Sequence, residues 1–358
     1  MAAVTHFFAG ANSGNGFQNL FGEILDLETA KDLIILKGGP GVGKNTFMQK
    51  IGTAMEEAGT AVEYICCSGA PDSLDGVVLP EISCAVVDGT SPHVLEPRYA
   101  VAVDRIVDLG QFCDTNGIKQ HADKIRQLMK AGGTFSARAQ RCLRAAHVLE
   151  QAARETAHET FRAEEALRLG AEIIEKEIPQ NGRPAGTTKR RFLGSLTRDG
   201  YVWRFDTVDT LCPRVYEICD RWGQGGALLE QLHSAAKDRG WGTIVCPSPE
   251  TPEMPEHLLI PSLGLAFVTS RPQMEYPGKA LKKLDLDSLS HPEEEKLCLW
   301  EQMSRTLREE GMEALRAAGE GHDELEKIYN PYVDFGKVEA LAKKEAGRLL
   351  GWLAEGRR

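Results

Sequence analysis

Short, largely apolar runs bounded by glycine, proline or aspartate alternate along this chain with long stretches of helical period. Residues 33–36, 62–66 and 84–87 are such runs, and residues 215–218, 243–246 and 258–268 repeat the pattern later. Their length and their turn-forming flanks predict buried strands rather than helices. Residues 118–178 differ. They are rich in Ala, Glu, Arg and Leu, with apolar residues at helical spacing, as at Leu143, Ala146, Leu149 and Ala153. A second such stretch opens at Ser290-His-Pro-Glu293, read as a capping box, and runs through Trp300, Met303, Leu307 and Met312 towards Leu350.

The strand pattern is written twice. Phe8-Ala-Gly10-Ala returns as Phe192-Leu-Gly194-Ser, and the glycine–aromatic pair Gly16-Phe17 returns as Gly200-Tyr201. Leu33-Ile-Ile-Leu36 is echoed by Val215-Tyr-Glu-Ile218, Gly59 to Cys66 by Gly240 to Cys246, and Val77 to Val87 by Leu258 to Val268. The landmarks keep their order and nearly their spacing, which indicates duplication. The expected fold is therefore α/β: duplicated domains with parallel sheets, each followed by a helical hairpin. The Pro- and Gly-containing segment 179–188 cannot continue a helix and marks the boundary between units. This divides the chain into a first α/β domain (1–117), a helical segment (118–180), a second α/β domain (181–289) and a C-terminal helical segment (290–358). The helices are read as packing on their own α/β core; arms for a protein partner are the alternative.

Composition narrows the partners. The 358 residues carry 42 basic and 52 acidic side chains, a net charge of −10, which does not favour a nucleic-acid role. Lys189-Arg190-Arg191 is one local basic cluster, of a kind most often solvated. No apolar run approaches the length of a membrane span, and the N-terminus lacks the pattern of a signal peptide. The nine cysteines show no paired metal-ligand spacing and fit a reducing cytoplasm, with Cys66 and Cys67 read as buried thiols.

The chemistry sits after the first strand run. Leu36-Lys-Gly38-Gly39-Pro40-Gly41-Val42-Gly43-Lys44-Asn45-Thr46 meets the fixed positions of G-x-x-x-x-G-K between a strand and a helix. In such a loop backbone N–H groups converge on the β-phosphate, glycines allow the close approach, and the helix presents its positive end. Lys44 would reach the β- and γ-phosphates. Asn45 stands where a magnesium-binding hydroxyl belongs, and Thr46 lies about 100° further round the helix. Asn45 then either ligates Mg²⁺ directly, acts through water, or leaves the metal weakly held. Asp88, ending the run 84–87, is the acid expected to orient magnesium-bound water, although Asp88-Gly89 is also a turn signal. Asp72 and Asp75 follow the second strand, where either could align a water or a substrate hydroxyl. His93 and Arg98 lie close behind Asp88 without an assigned role.

The second copy has lost these parts. Gly225 stands in the place of Gly43, Gly226 replaces Lys44, Ala227 replaces Asn45 and Thr269 replaces Asp88. The two α/β domains are accordingly read as duplicated P-loop NTPase-like domains, the first (1–117) with an intact loop and the second (181–289) degenerate. One competent nucleotide site per chain is expected, with the second half structural or regulatory.

With these motifs the chain resembles a family of bacterial ATPase-like proteins with tandem P-loop domains, within the P-loop nucleoside triphosphate hydrolase superfamily. The resemblance rests on residues 8–12 (Phe-Ala-Gly-Ala-Asn), the loop to Lys44, Asp72-Ser-Leu-Asp75-Gly, Val87-Asp88-Gly-Thr-x-Pro-His93 and the segment from His322 to Pro331, so it spans essentially the whole chain. Members usually carry a lysine-bearing loop followed by Ser or Thr in both halves, and this chain departs on both counts. The resemblance implies ATP binding and supplies no reaction. The leading expectation is a slow Mg²⁺-dependent ATPase. A small-molecule kinase with Asp72 or Asp75 as base, and a non-catalytic nucleotide-dependent scaffold, are the alternatives. No guanine-reading Asn-Lys-x-Asp and no Leu-Ser-Gly-Gly-Gln signature of transporter ATPases is present.

Overall fold

The computed structural model describes residues 3–357. The first α/β unit contains β1 (Val4–Phe8), the hairpin β2 (Gly10–Ser13) and β3 (Gly16–Asn19), β4 (Asp32–Lys37), α1 (Lys44–Glu57), β5 (Val62–Cys66), β6 (Leu74–Leu79), β7 (Cys84–Asp88) and β8 (Asp104–Asp108). Three helices follow: α2 (Thr115–Lys119), α3 (Ala122–His158) and α4 (Ala163–Glu177). The second unit contains β9 (Thr188–Arg190), the hairpin β10 (Gly194–Thr197) and β11 (Gly200–Trp203), α5 (Phe205–Leu211), β12 (Arg214–Cys219), α6 (Gly226–Asp238), β13 (Thr243–Ser248), β14 (Thr251–Ile260), β15 (Leu265–Ser270) and β16 (Lys282–Asp285). The helices α7 (Glu294–Tyr329) and α8 (Phe335–Gly356) end the chain.

The two six-stranded sheets have the same order, β1-β5-β6-β7-β4-β8 and β9-β13-β14-β15-β12-β16. Register repeats as well. Asp32 faces Cys84 in the first sheet and Arg214 faces Leu265 in the second, which sets Leu33 against Val215 and Asp88 against Thr269 as equivalents. The sheets are not wholly parallel: β6 and β14 run antiparallel to both neighbours. Parallel pairing needs a long crossover, and the connections flanking β6 and β14 are too short to supply one.

Each buried strand offers two apolar faces. In β4, Leu33 and Ile35 enter a core shared with the second sheet, where they join Val215, Ala266 and Val268. Ile34 and Leu36 face the other way, onto Phe47, Met48 and Ile51 of α1. Tyr216 and Ile218 of β12 likewise face Leu228, Leu229 and Leu232 of α6. The result is two sheets sandwiched face to face, with helices on both outer sides.

The long helices do not pack on their own cores, contrary to the expectation from sequence. Ala166, Ile173 and Ile174 of α4 complete the outer layer of the second sheet, beside α6. Val338, Ala342 and Leu349 of α8 complete that of the first sheet, beside α1. Helices α3 and α7 cross between the units side by side, with Leu143 Cδ2 only 3.0 Å from where a Cβ on Gly311 would stand. The two hairpins are thus exchanged between the repeats. Helical periodicity specifies an apolar stripe but not which sheet will cover it.

Two local readings also change. Helix α7 starts at Glu294 rather than Ser290, whose hydroxyl donates to Ala157 O at 2.7 Å and ties the inter-helix loops together. Arg191 is not part of a solvated basic patch: it is 1 % exposed and donates to Glu63 Oε1 at 2.5 Å and to the carbonyls of Glu23 and Ile24. Burial alone would raise the Glu63 carboxyl, but the charges of Arg191 and Lys189 hold it below its ordinary value. No helix among the described residues is long and apolar enough to cross a membrane.

Candidate functional site: the glycine-rich loop of the first half

Strand β4 delivers the chain to the sheet edge at Lys37, and α1 begins at Lys44; residues 38–43 make the turn between them. Three of its glycines have positive φ, at 141° for Gly38, 69° for Gly41 and 95° for Gly43. Gly38 is the most constrained, because a Cβ there would stand 2.7 Å from Val42 Cγ2. Gly43 is the N-cap of α1 and has no side chain to cap it, and the first turn holds no acidic residue. The helix therefore presents free N–H groups and an uncompensated positive end, an arrangement suited to an anion.

Lys44 folds back over this turn. Its Nζ donates to Gly38 O at 2.9 Å and lies 3.2 Å from both Thr90 Oγ1 and Asp88 Oδ2. The ion pair is shielded, with 14 % and 12 % of the two side chains exposed. Asp88 ends β7, the neighbour of β4, so parallel pairing brings its carboxylate to the same edge as the loop. Its other oxygen accepts from the N–H and hydroxyl of Thr90, at 2.8 and 2.7 Å, which fixes its orientation.

Of the remaining predicted residues, Asp75 stays near this group and the others separate. Asn45 Oδ1 accepts from the Leu74 N–H at 3.0 Å, so its amide oxygen ties α1 to the start of β6. Thr46 is exposed on the first turn of α1. Asp72 is exposed in the loop before β6, whereas Asp75 is buried. Gly39, Pro40 and Gly41 form the half-buried crest of the turn, and Val42 is buried beneath it. That crest is covered by the exchanged hairpin: Tyr329 packs against Gly39, and Asn330 donates to Gly41 O at 2.8 Å.

His93 belongs to the same cluster. It is buried, stacks on Phe21 at 4.2 Å, and places Nε2 3.4 Å from Asp75 Oδ2, an ion-pair distance without hydrogen-bond alignment. Burial disfavours its charged form, but Asp75 and then Asp88 outweigh this and hold it above its ordinary value. The sequence signal for Thr90 and His93 was their place in Val87-Asp88-Gly-Thr-x-Pro-His93. Among the described residues no three His, Cys, Asp or Glu side chains converge as a metal-ligand set.

The equivalent turn of the second half, residues 220–225, has filled its own anion position. Asp220 stands where the first half has Gly38, and its buried carboxylate accepts from the N–H groups of Gln224 and Gly225, both at 2.7 Å. Those are the counterparts of Val42 and Gly43. An internal carboxylate occupies the amides that a phosphate would need.

The chain shows no significant match to a known protein family, to a curated protein or to a solved structure.

Proposed function

We propose that residues 38–46 bind the phosphates of a nucleoside triphosphate, ATP by preference, and that the chain is a slow Mg²⁺-dependent ATPase with one competent site. The observation that carries this reading is the lysine at the head of an uncapped helix, its ammonium resting on a carboxylate at the end of the adjacent strand. The residues suit the ligand. The free N–H groups of the turn would take phosphate oxygens, Lys44 would exchange Gly38 O for them, and Asp88 would hold magnesium-bound water. Mg²⁺ commonly rests on one or two carboxylates together with substrate phosphates and water, so a dedicated protein cage is not required. Asn45 already serves Leu74, which leaves the metal fewer protein ligands and agrees with slow turnover. The nine cysteines, all free thiols, fit a reducing, cytoplasmic setting.

The engagement of Asn45 also favours a second reading, a scaffold that binds ATP without turning it over. Calorimetric titration of ATP with and without Mg²⁺, alongside phosphate release, separates the two. Lys44→Ala is expected to weaken ATP binding by about tenfold or more; equal binding by wild type and variant would sink both readings. ATP binding without phosphate release selects the scaffold. Asn45→Thr is expected to strengthen the dependence on Mg²⁺.

A further inference from the structure

We propose that the second half carries its own ligand site, for a flat organic anion, in the cavity at the carboxyl ends of β12, β13 and β15. The cavity measures about 280 Å³ and lies beyond the turn of residues 220–225, closed over by α3, α7 and the hairpin β10–β11. In α/β proteins this end of the sheet is where ligands bind. The self-capped turn excludes a phosphate chain there, so the walls of the cavity set the chemistry instead.

Three features of those walls agree. The first is aromatic surface: Trp203, Trp222 and Trp300 line the cavity, and Tyr201 stacks parallel to Trp203 at 6.1 Å. Such surfaces take up flat rings. The second is a buried donor without a partner: the Trp203 Nε1–H makes no hydrogen bond. Leaving a buried polar group unpaired is costly, and a ligand with an acceptor atom would relieve it. The third is uncommitted positive charge, from Arg154 and the more exposed Arg305. Arg221 is paired with Glu301, Arg308 with Glu150 and Glu250, and Arg271 with Glu256. Arg154, against the backbone of Gly223, has no ion pair or side-chain hydrogen bond among the described residues. Its planar fork suits a carboxylate or another oxyanion. The guanidinium and the indole N–H are donors only, so the ligand they fit is acceptor-rich, negatively charged and flat.

The site is independent of the nucleotide reading, and its test does not use ATP. Calorimetric titration with 2-naphthoate and with neutral 2-naphthylmethanol isolates the contributions of charge and ring. Wild type is expected to bind one 2-naphthoate per chain and to bind the alcohol more weakly. Arg154→Met is expected to weaken 2-naphthoate by about tenfold, with Arg154→Lys between, and to leave the alcohol unchanged. Lys44→Ala is expected to bind 2-naphthoate as wild type does. Absence of saturable binding at millimolar concentration, indifference to both Arg154 variants, or loss of binding in Lys44→Ala would each overturn the proposal.

Discussion

Phe8 and Phe192, at equivalent positions in the two repeats, exchange both backbone hydrogen bonds, Phe8 N–H to Phe192 O at 2.8 Å and Phe192 N–H to Phe8 O at 2.9 Å. A residue can bond in this way to its own counterpart only where the two units approach a local two-fold axis. Both rings are fully buried in one cluster with Ala11, Leu20 and Cys66. Truncating Phe192→Ala should cost about 3–5 kcal/mol. Because the two sheets share a core, urea denaturation followed by tryptophan fluorescence and by circular dichroism should still give one coincident transition. Separate transitions for the two halves would contradict the shared core.

Arg191 joins the halves by charge. Replacing it with methionine leaves Glu63 buried beside only the half-exposed Lys189, and loss of one member of a buried pair costs about 3–5 kcal/mol. Denaturant midpoints should show that loss in Arg191→Met and a partial recovery in Arg191→Met with Glu63→Leu. A loss below about 1 kcal/mol for the single variant would mark the pair as no stronger than a surface one.

Asp220 makes the second turn independent of any anion. Asp220→Gly, which restores the residue type found at Gly38, should destabilise the protein by about 1–3 kcal/mol, because the buried Gly225 N–H and the part-buried Gln224 N–H lose their acceptor. Inorganic phosphate should restore part of that stability. The comparison is best made in a Lys44→Ala background, so that the first turn does not contribute. A variant whose melting temperature ignores phosphate would mean that the amides have moved out of reach.

His257 sets a pH dependence of definite sign. Burial pushes its imidazole from the ordinary 6.5 down to about 4; Glu256 opposes the shift and Arg271 assists it. Between those values the unfolded chain takes up a proton that the folded one refuses, so stability is lost as pH falls from 6.5 to 4, by roughly 3 kcal/mol at most. Its Nδ1 accepts from the Thr269 N–H at 3.1 Å, a role an asparagine oxygen can fill. Wild type should therefore lose stability relative to His257→Asn across that window. Parallel stability curves for the two proteins would contradict a neutral, buried His257.

Much of this arrangement could be read along the chain. The repeat landmarks, from Phe8 and Phe192 to Val87 and Val268, fall at equivalent places in the two sheets because strand order and register depend on local apolar runs and short connections. The glycines of residues 38–43 were legible because positive φ at Gly38 and Gly43 is a backbone demand with a residue signature. Three things were not legible. The stripe of Val338, Ala342 and Leu349 would fit either outer sheet face, so it could not reveal the exchange. The bond from Leu74 N–H to Asn45 depends on where β6 starts relative to α1. The cavity near Ser195 draws Arg154, Trp203, Trp222 and Trp300 from distant segments, and no spacing pattern links them.

The exchanged hairpins describe a homodimer written as one polypeptide. A single repeat alone would leave the outer face of its sheet only partly covered, by α1 or α6, and carry a hairpin with nothing to cover. Two copies of that repeat complete each other, and the segment 179–188 supplies the tether. Fusion frees the two copies from having to share a sequence, so one could keep Gly38 and Lys44 while the other acquired Asp220 and lost its lysine. Cleavage within residues 179–187 should accordingly yield two fragments that stay bound one to one under native conditions, each holding the other's outer wall in place.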